Sequence, residues 1–240
     1  MSGLFYNLGK LAGPKIRTAK WAYLSATAPE AEVIKAEYAV GADLAQQIYK
    51  QFKMCPEITS KLKDIAHPLI KSLKNNRRTF SYEVICVSEP QAFCLPGGFV
   101  FISDSMFEQC GGNADSLAFI MAHEMAHVIQ GHVMERMLTH ALIQVVMRGG
   151  HLQAATKGSL GQLGRLFLER AYSQDNEFNA DTFAVRLAQA AGYDPTRAID
   201  LFSSLEPLQT NPLLGQYFST HPSFKSRIQN IRHVIRDMAR

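Results

Sequence analysis

The chain has 240 residues, 47% of them hydrophobic and 19% charged, with a formal net charge of +4. That composition excludes disordered and fibrous classes and is enough for one sizeable core. The charge is too small and too scattered to argue for nucleic acid as a partner.

Residues 1–35 form a basic N-terminal arm. Lys10, Lys15, Arg17 and Lys20 lie between Met1 and Pro29 with no acid among them, so that stretch accounts for the whole charge excess. It lacks the apolar h-region and cleavage site of a secretory signal. Leu4, Leu8 and Leu11 share a helical face that Gly13-Pro14 interrupts, which fits docking on the protein's own surface better than a membrane anchor. No run reaches the eighteen or so apolar residues that span a bilayer. The expectation is a soluble, cytoplasmic protein, with peripheral membrane contact through the arm as the alternative.

Residues 36–240 read as one domain. Val33, Ile34, Tyr38, Val40, Leu44, Ile48 and Phe52 recur at three- and four-residue steps, which predicts an amphipathic helix from Ala31 to Phe52. Ile58, Leu62, Ile65, Leu69 and Ile70 predict a second helix from Glu57 to Leu73, ended or kinked by Pro68. The stretch FSYEVICVSEPQAFCLPGGFVFIS, rich in β-branched and aromatic residues, predicts short strands at Tyr82–Val87, Ala92–Leu95 and Phe99–Ser103. Tight turns between them predict an antiparallel sheet. Cys55, Cys86, Cys94 and Cys110 show no CxxC spacing and read as free thiols, with Cys86 and Cys94 the pair that adjacent strands could bridge.

Asn113 is an N-cap for a helix apolar around most of its circumference, from Ala114 onward. Met137 to Met147 continues apolar, and Arg148 to Gly164 holds five glycines and reads as a mobile loop. Helical pattern resumes from Arg165 to Ala191. Asp194-Pro195 opens a further helix, and Ser223 caps a basic C-terminal one. The sum is an α+β fold, mostly helical, with one small antiparallel sheet.

The chemistry lies in the apolar helix, where AHEMAHVIQGH buries ionisable groups that need a partner or a metal. His123 and His127, four residues apart, project from one helical face and can share one metal, while Glu124 is placed to reach a water on it. A third histidine in the pattern HExxHxxGxxH would need glycine at 130 and histidine at 133, but the chain has Gln130 and Val133. His132 stands about 140° off the metal face of a continuous helix and reads as a surface or capping residue. The other candidate for third ligand is Glu177, with Asp181 one turn on to hold the far nitrogen of a metal histidine. Asp175, two residues from Glu177, points from a different face.

HExxH, then YSQDNEFNAD, LPGGFVFIS and STHPSFKSR, make a set of motifs that resembles the zinc metallopeptidase family of HtpX, the CAAX prenyl endopeptidase and the mitochondrial Oma-type protease. The resemblance implies a zincin-like domain in which His123, His127 and Glu177 bind one zinc ion and Glu124 is the general base. It implies that the strand around Gly97, Gly98, Phe99, Val100 and Phe101 receives an extended or unfolded polypeptide as substrate. His221 matches a histidine that approaches the metal as an oxyanion donor or reversible ligand. Arg227, in the same motif, either positions acidic groups or lies on the helix surface.

The expected reaction is peptide hydrolysis by a zinc endopeptidase. One alternative is a metal-bound, catalytically idle module that holds unfolded chains. Another is a latent peptidase whose open coordination position is blocked by His221 or the Gly149–Gly164 loop.

Overall fold

The computed structural model describes residues 29–73, 77–137, 172–206, 221 and 224–240. The basic arm up to residue 28, the glycine-rich loop and the Ser223 cap lie outside the described residues. Helix α1 (Glu30–Gln51) runs through the boundary expected at residue 35, burying Val40, Leu44 and Ile48. Helix α2 (Pro56–Ser72) continues past Pro68. The proline removes one hydrogen bond, but the buried stripe Thr59, Leu62, Ala66 and Leu69 keeps the helix in register.

The sheet has strands β1 (Ser81–Ile85), β2 (Ala92–Leu95) and β3 (Phe99–Ser103), in the order β1-β3-β2. β2 and β3 form the expected antiparallel hairpin, but β1 pairs with β3 in parallel. The sheet is therefore mixed, not antiparallel throughout. The reason is topological: the hairpin places β3 between its two partners, so β1 and β2 never meet. Gly97 and Gly98 make the turn with φ of 76° and 90°, a region that only glycine enters without strain.

That turn seats directly on α1. A Cβ on Gly41 would run into the Pro96 carbonyl oxygen and press on Phe99. Gly41→Ala therefore overpacks a backbone contact that cannot rotate away, and the expected loss is about 3 kcal/mol, the upper end for such changes. Urea unfolding measures it, and a loss below about 1 kcal/mol would show that the turn and helix separate freely.

After β3 come α3 (Asp104–Gln109), the central helix α4 (Ala114–Ile129), α5 (Gln174–Ala190), α6 (Arg197–Leu205) and α7 (Phe224–Met238). As expected, Asn113 caps α4 by accepting the Ser116 N–H at 2.9 Å. α5 starts at Gln174, with Ser173 accepting the Asn176 N–H at 3.1 Å, so Tyr172 and Ser173 precede the helix. Asp194 accepts from the Thr196 N–H and hydroxyl at 2.9 and 2.7 Å, forming a turn just ahead of α6. α4 packs against α5, α2, α6 and β2, and α7 packs on α5 and α6. No helix among the described residues is long and apolar enough to cross a membrane.

The cysteines depart from the free-thiol reading. Cys55 and Cys86 form a disulfide with Cα atoms 5.9 Å apart, and Cys94 and Cys110 are free and buried. The pairing is not Cys86–Cys94, because the antiparallel bridge between Met54 and Ile85 brings the residues that follow each, Cys55 and Cys86, together as diagonal neighbours. Burial pushes the Cys110 thiol up to about 12. Burial and the neighbouring Glu124 carboxylate also push the Cys94 thiol well up. The oxidised native chain should therefore leave a thiol reagent at pH 8 nearly unconsumed, with two thiols appearing in denaturant and four after reduction. Four thiols in denaturant without reductant would contradict the disulfide.

Candidate metal centre

The apolar circumference of α4 sinks it into the core, and its four-residue repeat then aims His123 and His127 at the same place. α5, packed alongside, presents Glu177 and Asp181 from its own inner face. The residues just before α7 bring His221, and Arg227 follows one turn into that helix. All of these side chains, with Glu124, are at most 2% exposed.

The Nε2 atoms of His123 and His127 are 3.0 Å apart. Glu177 Oε1 lies 3.4 Å from His127 Nε2, and Oε2 lies 3.7 Å from His123 Nε2. His221 joins them through Nδ1, at 3.0 Å from Glu177 Oε1 and 3.4 Å from His123 Nε2. One ligand atom from each of these four residues lies within 4.8 Å of the others. The sequence-predicted trio is thus brought together, with His221 as a fourth member. Asp175, the rival ligand, is exposed on the outer side of α5.

His123 and Glu177 are held from behind. Asp181 Oδ1 is 2.9 Å from His123 Nδ1, as the one-turn spacing predicted, which leaves Nε2 for the centre. Arg227 is fully buried and bonds Asp181 through both Nε and a terminal nitrogen, at 2.8 and 2.6 Å. Its other terminal nitrogen is 2.8 Å from Glu177 Oε2, and the guanidinium lies 4.5 Å above the Phe202 ring. Arg227 therefore lies against Asp181 and Glu177 in the core, not on the helix surface.

His132 and Tyr172 are the partners that sequence reasoning missed. His132 is buried and its Nδ1 lies 3.1 Å from His127 Nδ1. The surface reading assumed a continuous helix, but α4 ends at Ile129 and Gly131 takes φ 77°, so the chain turns before His132. Tyr172 stacks on the His127 ring with centroids 3.8 Å apart and planes at 16°. Arg136 covers Tyr172 at 4.6 Å.

The electrostatics suit a cation. Burial, ahead of the neighbouring histidine charges, lowers His127 well below its usual value, so the imidazole is neutral at pH 7 with a lone pair to give. Burial alone would raise Glu177. The charges of His221 and Arg227, with hydrogen bonds from His127 and His221, outweigh it and hold this carboxyl well below the usual range. Both oxygens of Glu124 are buried, and neither accepts a hydrogen bond from an N–H or O–H donor among the described residues. His221 Nε2 lies 3.5 Å from Glu124 Oε1.

Three imidazoles and a carboxylate are a donor set that zinc takes, and nitrogens bound to one tetrahedral zinc lie about 3.3 Å apart. The 3.0 Å spacing of the two Nε2 atoms fits that requirement. A buried carboxylate that, among the described residues, meets no N–H or O–H donor beside such a set fits a group that takes a proton from water.

The substrate strand expected around Gly97 to Phe101 needs correction. β3 is paired on both sides, by β1 and β2, so it has no open edge to which a chain can add. The outer edges of the described sheet are β1, whose C-terminal end pairs with the Lys53–Cys55 segment, and β2, the strand that carries Cys94 beside Glu124.

Residues 56–235 match the family model described as Peptidase family M48. The chain is 34% identical over 152 residues to the mitochondrial metalloendopeptidase OMA1 of Arabidopsis thaliana, across 61% of this chain and 30% of that protein. It is 26% identical over 181 residues to the metalloprotease LoiP of Escherichia coli, across 73% of this chain and 70% of that protein. It is 26% identical over 196 residues to the β-barrel assembly-enhancing protease of Escherichia coli, across 76% of this chain and 40% of that protein. The matches to the plant and fission yeast OMA1 proteins span 30% and 42% of their lengths.

Proposed function

The chain belongs to Peptidase family M48, and from that premise we propose that it is a zinc-dependent endopeptidase acting on extended or unfolded polypeptide. The observation that carries this reading is Glu124, a buried carboxylate that meets no N–H or O–H donor among the described residues, set beside a converging His123, His127 and Glu177. An idle binding module has no use for that base. Held by His123, His127 and Glu177, zinc would supply a water of lowered pKa and a Lewis acid for the scissile carbonyl.

The chain's own residues do the rest. Glu124 takes the proton of the attacking water and delivers it to the leaving amine. Asp181 holds the Nδ1 proton of His123, at 2.9 Å, so that Nε2 faces the centre throughout. His132 accepts the Nδ1 proton of His127 at 3.1 Å and does the same for that ring. Tyr172 covers the His127 face and excludes water from it. The substrate is proposed to add along β2, gaining main-chain hydrogen bonds that do not depend on its side chains.

Casein cleavage that stops when a chelator strips the metal and returns on adding one equivalent of zinc supports this reading. Cleavage indifferent to chelator, or peptide capture without cleavage by the zinc-loaded chain, would reject it.

Latency has its own support: His221 Nδ1 stands within the donor set, 3.0 Å from Glu177 and 3.4 Å from His123 Nε2. We infer that His221 fills the position that water and substrate need, and that leaving it is the activating step. His221→Ala should then keep its zinc and cleave casein faster than wild type, by about tenfold if displacement costs ~1.4 kcal/mol. Slower cleavage with zinc retained would make His221 an oxyanion donor instead.

A further inference from the structure

A second cluster of metal-ligating side chains lies apart from the buried centre. Cys55 immediately precedes α2, Cys86 follows β1, and Asp104 opens α3. One ligand atom from each lies within 4.8 Å of the other two. All three residues are half-buried, whereas Cys94 and Cys110 are buried. A cleft of about 480 Å³, lined by Cys86, Val87, Ser88, Asp104, Ser105 and Glu108, reaches the cluster from solvent.

The carboxylate is held in place. Asp104 Oδ1 accepts the backbone N–H groups of Val87 and Ser105, both at 2.9 Å. Its Oδ2 is left facing Cys55 Sγ at 3.8 Å. In the oxidised chain that sulfur is part of the Cys55–Cys86 disulfide and has no proton to donate. An anchored carboxylate oxygen thus faces an atom that gives it nothing until the disulfide opens. The surrounding backbone does not depend on the S–S bond to keep the sulfurs together. Cys55 N–H donates to Val84 C=O and Cys86 N–H to Lys53 C=O, both at 2.8 Å.

We propose that reduction of the Cys55–Cys86 disulfide creates a second metal site, in which two thiolates and the Asp104 carboxylate bind a thiophilic divalent cation of the zinc class. A phosphine or dithiol supplies two electrons and, with solvent, two protons. The S–S bond breaks, two thiols form, and the reductant leaves as phosphine oxide or disulfide. Both thiol protons are released to solvent as the cation binds. Two soft sulfurs and one oxygen leave a fourth tetrahedral position, which opens toward the cleft and Glu108, one turn after Asp104 on α3. A coordinate link then replaces the covalent one between the start of α2 and the end of β1. The fold holds this corner together in either redox state.

Cobalt(II) tests this on the full chain, because thiolate-to-cobalt charge-transfer absorption reports sulfur ligands only. The His123, His127 and Glu177 centre has none. The oxidised chain should show no such band. After treatment with a phosphine under nitrogen, the band should grow to an endpoint of one cobalt per chain. It should vanish in Cys86→Ser and persist in Cys94→Ser and Cys110→Ser, and Asp104→Asn should weaken cobalt binding about tenfold or more. No band in the reduced wild type overturns the site, whatever the variants do, and so does a band that survives Cys86→Ser. Unchanged affinity in Asp104→Asn removes the carboxylate from it and overturns the three-ligand assignment. None of these outcomes depends on peptidase activity.

Discussion

Glu124→Gln should lower the casein-cleavage rate by about 10²–10⁴-fold, the usual worth of a positioned general base, while zinc content and thermal midpoint stay near wild type. The substitution is isosteric, and neither Glu124 oxygen accepts from an N–H or O–H donor among the described residues. The amide therefore keeps the shape of the resting site and leaves only the contact with the Cys94 thiol altered. It removes the capacity to take a proton. Because Glu124 is not among the converging metal ligands, the metal stays. A variant that cleaves casein at more than about a tenth of the wild-type rate would take the base role from Glu124.

The largest loss of stability should follow Arg227→Met, measured by urea unfolding of the metal-stripped chain. Arg227 is fully buried and neutralises two carboxylates, Asp181 through two hydrogen bonds and Glu177 through one 2.8 Å contact. Truncating one partner of such a network leaves charge buried and uncompensated, at a cost of about 3–5 kcal/mol. Arg227→Lys should recover only part of this, because an ammonium cannot match the two-pronged contact with Asp181. A loss below about 1 kcal/mol would mean that the arginine is incidental.

The effect carries a pH signature. The charges of His221 and Arg227 overcome burial and hold the folded-state value of Glu177 well below its ordinary 4.5. A group depressed in this way stabilises the fold fully above its unfolded value and loses that contribution as pH falls through the folded one. The gap between wild type and Arg227→Met should therefore be widest at neutral pH and should narrow below about pH 4.5.

Much of this centre was legible in the sequence because it is written in helical spacing. His123 and His127 share a face at four residues, Glu177 and Asp181 do so on the next helix, and Asn113 marks where the first begins. Arg227 also carries a signal in helical spacing. It stands three residues after Phe224 and four before Ile231, on the buried stripe of α7, where a solvent-facing arginine would not be found. His132 was misplaced because helical projection was carried through Gly131, whose φ of 77° turns the chain first.

What stayed illegible is non-local. The parallel β1–β3 pair joins strands separated by a whole hairpin, and local turn chemistry reports only on neighbours such as β2 and β3. For the same reason the Cys55–Cys86 link, 31 residues apart in sequence, leaves no mark in cysteine spacing. The seating of the Pro96–Gly98 turn on α1 depends on Gly41, a helix-interior glycine whose reason appears only once the turn is in place.

The most direct measurement is the zinc content of the purified, oxidised chain alongside His127→Ala and Glu177→Ala, by elemental analysis after exhaustive dialysis. Wild type should hold one zinc per chain and either variant less than about a tenth of that, since each removes one of the three protein ligands of a catalytic site. A wild-type chain without zinc, or variants that retain it in full, would contradict the assignment of His123, His127 and Glu177 as a metal centre.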